Sequence, residues 1–392
     1  MRLGAFGLLW FTYFVGIGLF NPYAPLWFQQ LGFSTLAIGA LASLQSWTRV
    51  VAPYGWGWLG DHSGDRVRLL RWAAGATLLA ALALTLDTRY GAIALVVAAL
   101  FLANGGVVPL CEAALSQHLG TAQGLDAARY GRVRVWGSIG FVVAVTGFGL
   151  LLEWWPLRGF PWLVVMVYGL LLLATLRLPP SPVLAQDNEV RVRVWPVLRQ
   201  PVVAWFFASA FFTVLAHTGL YAFFSLYLDQ QGYPKSAVGG LWAVAVVLEI
   251  GFFWFQGRFF RRFEPQRWLE LAAACTVLRF VITAAYGASL WWLVAAQALH
   301  AITFAAHHAA CITLVHRHFP GALRGRGQAL YSVLGYGASG LLGGVGGGWL
   351  IEHLGYASVF WASALAGGLA WVCARRAGTG TRPGFIRGAC GR

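Results

Sequence analysis

Long apolar runs recur from one end of this sequence to the other, and each is long enough to cross a lipid bilayer. A bilayer-crossing helix needs about 20 mostly apolar residues. A backbone surrounded by hydrocarbon must satisfy its hydrogen bonds within each such run, and a continuous apolar run does so only as a helix. We therefore predict an all-α membrane protein with twelve transmembrane helices, at 5–28, 36–59, 68–86, 91–116, 131–152, 160–178, 201–228, 236–257, 268–287, 290–315, 327–350 and 356–374.

The composition of the 392 residues agrees with a membrane protein. Only 10% of them are charged and 59% are hydrophobic, whereas about a quarter of a soluble chain is charged. A net charge of +15 alone would suggest a nucleic-acid partner. However, the basic residues form short clusters between the apolar runs, as membrane topology requires. We therefore expect a lipid bilayer around the chain and no nucleic acid.

The basic residues also indicate the orientation of the predicted helices. Alternate connections carry only Arg89, Arg158 and Lys235, while Arg49 and Arg279 lie inside predicted helices. The rest of the 28 basic residues lie in the other connections, within about one turn of them, or at the chain ends. Because cytoplasmic loops are enriched in Lys and Arg, we expect both termini in the cytoplasm.

A polar, proline-containing stretch at 179–200 is typical of a loop, and we predict a cytoplasmic linker there. It separates an N-terminal six-helix half at 1–178 from a C-terminal six-helix half at 201–375, which a cytoplasmic tail at 376–392 follows.

An internal repeat supports this division into two pseudo-symmetric halves. Residues 26–41 align without gaps on residues 226–241, at an offset of 200. The identical pairs are Leu26/Leu226, Gln30/Gln230, Gly32/Gly232, Ala37/Ala237, Gly39/Gly239 and Leu41/Leu241. A parallel repeat of six-helix halves is typical of one large transporter architecture, whose site lies where the halves meet.

Ionisable residues near the middle of apolar runs are the first candidates for a functional site. Glu249, Arg279 and His300 lie on three consecutive predicted helices, and each costs about 2.5–3.5 kcal/mol or more in hydrocarbon unless it faces a partner or water. Burial disfavours the charged carboxylate, so Glu249 could hold a proton. The positive charge of Arg279 could displace that proton on approach, and His300 could relay it. The alternative is a static bridge between Glu249 and Arg279. The repeat offset of 200 also places Arg49 and Glu249, which have opposite charges, at equivalent positions of the two halves. The alternative is that each of them is paired with a local partner.

Further polar residues lie within the predicted helices. Glu112 and Arg134 lie about one turn inside neighbouring helices and could hold a substrate, or form a structural ion pair. His217 and His307 are candidate substrate-binding residues, the second at i+7 from His300. No metal site is predicted, because a third ligand of suitable geometry is lacking, and no cofactor is expected. Pro22 and Pro25 are expected to break the first helix.

The connection after the second predicted helix contains Gly57, Asp61, Gly64 and Arg66. This spacing resembles the loop signature of the major facilitator superfamily, Gly-x-x-x-Asp-Arg/Lys-x-Gly-Arg, although His62 replaces its first basic residue and Asp65 precedes Arg66. The resemblance implies a gating loop, in which glycine permits a close helix contact. The second half keeps Gly257 but has Arg261 where the aspartate would stand.

Four longer segments resemble the phenylpropionate-permease branch of that superfamily, which is akin to the oligosaccharide:proton symporters. They are YGRVRVWGS at 130–138, LWAVAVVLEIGFF at 241–253, CTVLRFVI at 275–282 and QALHAITFAAHH at 297–308. The resemblance implies that Glu249, Arg279 and His300 couple protons to substrate. It also places Phe141 where the sugar symporters use an aromatic platform.

Together these features predict a monomeric secondary transporter of the bacterial cytoplasmic membrane. Arg49, Arg134 and Arg279 would supply positive charge for an anion, and Glu249 would carry the coupled proton, so we expect proton-coupled symport of a small organic solute such as phenylpropionate. A sugar or nucleoside symporter and a drug exporter are alternatives within transport. A polytopic membrane enzyme or receptor-like protein is the alternative outside it, but the sequence has no nucleophile–base pair or metal constellation.

Overall fold

The computed structural model describes residues 3–121, 124–180, 194–260 and 262–379, and these residues are mainly helical. The helices are α1 Leu3–Gln30, α2 Thr35–Ser63, α3 Arg66–Ala83, α4 Tyr90–Asn104, α5 Val107–Leu119, α6 Ala127–Trp154, α7 Phe160–Leu176, α8 Trp195–Leu198, α9 Pro201–Gln230, α10 Lys235–Phe259, α11 Pro265–Ala285, α12 Leu290–Ala298, α13 His307–His318, α14 Arg324–Leu330, α15 Ser339–Leu354 and α16 Ala357–Thr379. Most of the predicted linker and tail, at 181–193 and 380–392, lies outside the described residues.

Short elements of other geometry interrupt these helices. A π-helical segment, Ala301–Ala306, precedes α13, and a second one, Tyr331–Ala338, joins α14 to α15. Two strands of two residues each, β1 Gly120–Thr121 and β2 Gly124–Leu125, form an antiparallel pair between α5 and α6.

Each of the twelve predicted membrane helices coincides with one helix or with a close succession of helical elements, in which short turns separate α4 from α5 and α12 from the segment that follows it. Within the described residues, nine of these helical spans are long and apolar enough to cross a membrane. The three predicted helices at 36–59, 68–86 and 327–350 are helical but fall outside those nine. The chain is thus an all-α, multi-pass membrane protein.

The first helix is not broken at its prolines, so the prediction of a break was wrong. α1 runs unbroken through Pro22 and Pro25. Proline removes one backbone donor from a helix, but neighbouring helices and polar side chains can satisfy the freed groups in a membrane protein. At this level Gln45 of α2 donates through Nε2 to Asn21 Oδ1 at 2.9 Å.

The repeat detected in the sequence has a structural counterpart at the ends of α1 and α9. Gly32 has φ 83° and Gly232 has φ 81°, a backbone region that favours glycine. The N–H of Gly32 donates to Gln29 O and that of Gly232 to Asp229 O, at 2.9 and 3.0 Å. Both copies therefore end a helix with the same glycine turn.

Backbone contacts divide the chain into two compact units. The first comprises Met1–Asn188, Tyr221–Ala243 and Gly344–Trp349, and the second comprises Glu189–Leu220, Val244–Gly343 and Leu350–Arg392. Because contacts rather than sequence order define these units, the division into halves at 1–178 and 201–375 stays a prediction.

Glycines of the repeat explain why two later segments belong to the first unit. A Cβ at Gly39 would overlap the carbonyl oxygen of Gly344, and one at Gly239 would overlap that of Val145. Tyr23 also donates its hydroxyl hydrogen to Val145 O, at 2.5 Å. Backbones approach this closely only where one residue has no side chain. The equivalent glycines of the two repeat copies thus serve the same packing role.

In the second unit, a hydrophobic core includes residues of several helices that also carry the polar cluster described below. It is formed by buried aromatic and aliphatic side chains of α9, α11, α13 and α16, among them Phe206, Trp268, Leu314 and Phe319. α11 and α16 also pack closely, because a Cβ at Gly367 would lie 3.1 Å from the backbone nitrogen of Val277.

We expect Gly140→Ala to destabilise the packing of α6 on α1. A Cβ at Gly140 would overlap the carbonyl oxygen of Phe11, and overpacking of this kind costs about 1–3 kcal/mol. The measurement is the thermal unfolding of detergent-solubilised protein. Gly147→Ala, on the same helix but with no atom within 4 Å of the added carbon, is the matched control. Equal melting temperatures for the two variants would contradict the contact.

Candidate functional site

The second unit contains a buried polar cluster centred on Arg279 of α11. The Arg279 side chain is fully buried. Its Nη1 donates to His300 Nδ1 at 2.9 Å and to Thr303 Oγ1 at 3.1 Å. Its Nη2 donates to Gln297 Oε1 at 2.8 Å. A buried guanidinium is tolerated only when such acceptors surround it, so α11 and the segment 297–303 form one polar unit.

The donors of this cluster determine the protonation of His300. A guanidinium only donates hydrogen bonds, so His300 Nδ1 accepts one and carries no hydrogen. The neutral ring then carries its hydrogen on Nε2, which lies 3.3 Å from Glu249 Oε2 of α10. The polar contacts therefore follow one order, from the Arg279 donor through His300 to the Glu249 carboxylate. The carboxylate remains reachable, with its side chain 19% exposed.

A second branch of the same cluster runs to α9. His217 Nδ1 lies 2.8 Å from Thr213 O, and a carbonyl only accepts, so Nδ1 carries the ring hydrogen. His217 Nε2 therefore accepts from the Thr303 hydroxyl at 3.1 Å. Thr303 thus receives a hydrogen bond from Arg279 and passes one to His217, which connects three elements of the unit.

The cluster brings together four residues named from the sequence, Glu249, Arg279, His300 and His217, with two that sequence reasoning missed. Gln297 and Thr303 lie three residues before and after His300. Residues three apart share a helix face, so this spacing was the available signal.

In the first unit, Arg134 of α6 lies against aromatic rings of α1. Its guanidinium carbon is 4.4 Å from the centroid of the Trp10 ring and 4.8 Å from that of Phe14. Glu112 of α5 accepts a hydrogen bond from the Tyr130 hydroxyl at 3.2 Å. The alternative of a structural Glu112–Arg134 ion pair is not seen within the described residues, and the role of these two residues in substrate binding stays a prediction. Cation–π contacts leave the edge of the guanidinium able to donate to an anion.

Arg49 is an exposed residue of α2, and Tyr13 connects it to this arginine site. Both Arg49 and Arg134 lie within electrostatic range of the Tyr13 hydroxyl. Arg49 also lies within range of Tyr168 of α7, whose buried hydroxyl has no hydrogen-bond partner among the described residues. Arg49 and Arg134 therefore both lie in the neighbourhood of the Tyr13 phenol.

Phe141 of α6, the predicted aromatic platform, is buried and packs edge-on against Trp242, with ring centroids 6.4 Å apart. Trp242 also stacks on Tyr221 at 6.1 Å. Its indole N–H is buried without a hydrogen-bond partner among the described residues. Trp242 is a third residue that sequence reasoning missed, because abundant tryptophans in a membrane chain are usually interfacial.

His307 is buried beside Cys311, with Nε2 3.4 Å from Sγ. The described residues contain no group of three or more His, Cys, Asp or Glu side chains that could hold a metal ion. The role of His307 in substrate binding stays a prediction.

The predicted gating motif spans the end of α2 and the start of α3. Asp61 lies in the last turns of α2, and Arg66 begins α3. Gly64 ends α2 with φ 66°, and Asp65 caps α3 by accepting from the Arg68 N–H at 2.9 Å. No described atom lies within 4 Å of a Cβ added at Gly57, so the close contact expected there is absent. It occurs instead at Gly60, whose added Cβ would lie 3.1 Å from Leu110.

Comparisons with known proteins give matches that each cover almost the whole chain. A family model described as MFS_1 like family matches residues 5–362. The probable 3-phenylpropionic acid transporter of Escherichia coli (strain K12) is 32% identical over 364 residues, which cover 91% of this chain and 93% of that protein. The maltose permease of Geobacillus stearothermophilus is 26% identical, covering 90% of this chain and 88% of that protein. A solved structure of a mutant nucleoside transporter NupG matches with a TM-score of 0.85 at 18% identity, covering 97% of this chain and 100% of that chain.

Proposed function

The chain belongs to the MFS_1 like family, a family of membrane transporters rather than enzymes, and on this premise we propose that it imports a small aromatic carboxylate together with protons. The proposal includes a bacterial inner-membrane location, both termini in the cytoplasm and a monomeric carrier. It also includes two six-helix halves.

The observation that carries the coupling proposal is the series of polar contacts from Arg279 to Glu249: a hydrogen bond joins Arg279 to His300, and His300 Nε2 lies 3.3 Å from Glu249 Oε2. Glu249 is the acidic member of this buried cluster, and it can exist as a neutral acid or as a carboxylate. In the charged form it accepts from His300 Nε2, which Arg279 polarises from the opposite side. In the neutral form that hydrogen bond weakens. A proton on Glu249 thus changes the contacts between α10 and the segment around His300, as a carrier with alternating access requires.

The arginine site of the first unit supports an aromatic carboxylate as the substrate. Arg134 and Arg49 provide positive charge, and Trp10 and Phe14 provide ring surfaces beside Arg134. A carboxylate pairs best with a guanidinium that can offer two parallel donors. The 32% identical relative is described as a probable transporter of 3-phenylpropionic acid, which carries both a ring and a carboxylate.

Uptake by proteoliposomes tests the coupling. Purified protein is reconstituted, an inward proton gradient is imposed, and radiolabelled 3-phenylpropionate is followed over time. We expect uphill accumulation that vanishes when a protonophore removes the gradient. Accumulation that is the same with and without the gradient would refute proton coupling.

We expect Arg134→Gln to weaken binding of 3-phenylpropionate about tenfold or more, because hydrogen bonds to charged groups contribute about 1.5–3 kcal/mol. Ligand-induced thermal stabilisation in detergent measures the affinity. The uncharged 3-phenylpropanamide should bind wild type and variant alike. Arg132→Gln, which changes an exposed arginine of the same helix, is the matched protein control.

A maltose, nucleoside and drug panel in the same stabilisation assay tests the other substrate classes. Stabilisation by one of these compounds and not by the acid would replace the carboxylate proposal with that class.

A further inference from the structure

The polar cluster of the second unit continues beyond His300 along the same helix face. The rings of His300 and Phe304 are nearly parallel, with centroids 5.0 Å apart and an interplanar angle of 5°. Phe304 and His308 follow at 6.2 Å and 13°. The π-helical segment Ala301–Ala306 lies inside this ladder, and such segments frequently occur at functional sites. The ladder places a second imidazole two turns beyond the first.

The surroundings of His308 come from three elements of the unit. The Tyr336 hydroxyl of the second π-helical segment lies 3.4 Å from His308 Nδ1. The Tyr331 ring of the same segment packs against the imidazole at a centroid distance of 6.0 Å. Glu249 of α10 and the adjacent His307 lie within electrostatic range of His308. Glu249 therefore has two imidazoles in its neighbourhood: His300, whose Nε2 lies 3.3 Å from Oε2, and His308, which is within electrostatic range.

The imidazoles of His300 and His308 differ in whether a ring nitrogen is available to accept a proton. His300 Nδ1 already accepts from Arg279, and its Nε2 carries the hydrogen that faces Glu249. A proton can therefore enter His300 only if the Arg279 contact breaks. His308 has no guanidinium among its described contacts, and its neighbour Tyr336 can accept a hydrogen from Nδ1. That arrangement leaves the His308 Nε2 lone pair as the acceptor.

Building on the proposed proton coupling, we propose that His308 accepts the proton that Glu249 releases and that Tyr336 positions its imidazole. The O–H bond of the Glu249 carboxylic acid breaks, the proton crosses through water, and an N–H bond forms at His308 Nε2, which gives a carboxylate and an imidazolium. The carboxylate then accepts the hydrogen bond from His300. The imidazolium loses its proton to water toward the connection after α13, where Arg317 and Arg324 mark the cytoplasmic side of the proposed topology.

The test compares His308→Asn with wild type in proteoliposomes. Substrate counterflow needs no net proton release, so we expect it to stay at the wild-type rate. Uphill uptake and proton influx, read from an internal pH-sensitive dye, should slow about a hundredfold, as expected for loss of a positioned proton acceptor. His316→Asn is the matched control, because His316 lies two turns further along α13 and contacts Gln328 instead, at 3.0 Å.

Tyr336→Phe tests the positioning role separately. It removes only the hydroxyl that faces His308, so we expect the pH profile of uphill uptake to shift while counterflow stays constant. An unchanged profile would refute the role of Tyr336.

Other outcomes would overturn the proposal for His308. Uphill uptake at the wild-type rate in His308→Asn would refute it and leave proton coupling intact. An equal loss of counterflow and uptake would also refute it, since His308 would then act in binding or folding. A wild type indifferent to the proton gradient would refute the coupling proposal itself, and the role of His308 with it.

Discussion

Replacement of Glu249 by glutamine is expected to preserve substrate exchange and to abolish accumulation against a gradient. The amide has nearly the same size, and its carbonyl oxygen can still lie beside His300 Nε2, which is 3.3 Å from the carboxylate oxygen Oε2. It cannot bind or release a proton at any physiological pH. In proteoliposomes, counterflow should continue at a rate similar to that of wild type. The internal substrate concentration should rise no higher than the external one.

The matched control for this substitution is Glu270→Gln, in the second turn of α11 and close to Gly378. Both variants lose one carboxylate, so they change the net charge of the protein equally. We expect Glu270→Gln to accumulate substrate as wild type does. If Glu249→Gln did the same, the residue would have no part in proton coupling.

Replacement of Arg279 by glutamine is expected to have the largest effect on stability. The guanidinium is fully buried and donates to His300, Thr303 and Gln297. Removing it leaves these acceptors without their donor and removes the positive charge opposite Glu249. Removal of one partner from a buried charge network costs about 3–5 kcal/mol. We expect a strongly lowered melting temperature in detergent and no measurable uptake.

The control for Arg279 is Arg258→Gln, which removes an exposed arginine whose guanidinium carbon lies 5.6 Å from the Phe255 ring. Substitutions of exposed residues usually change stability by no more than about 0.5 kcal/mol. Similar melting temperatures for the two variants would contradict a central role for the Arg279 cluster.

The features that the sequence predicted well are those that depend on local order along the chain. The apolar runs predicted the positions of the helices because hydropathy is a property of each segment by itself. The repeated Gly32 and Gly232 turns were detectable because only glycine adopts their backbone conformation readily. The candidate residues Glu249, Arg279 and His300 stood out because charge is rare in hydrocarbon.

The features that could not be predicted depend on which faces of the helices pack against one another. Gln297 and Thr303 are ordinary polar residues until α11 brings the Arg279 guanidinium against them. The contact of Arg134 with Trp10 and Phe14 joins residues far apart in the chain. The unbroken course of α1 through Pro22 and Pro25 was mispredicted, because neighbouring helices decide whether a proline kink is tolerated.

The fixed tautomer of His300 has a consequence for a cell that keeps a proton gradient. A ring whose Nδ1 is occupied by Arg279 cannot take up a hydrogen ion on one edge and shed another from the opposite edge. An idle carrier built in this way would not leak hydrogen ions through that ring, so the energy stored across the membrane would not be dissipated while no cargo is bound.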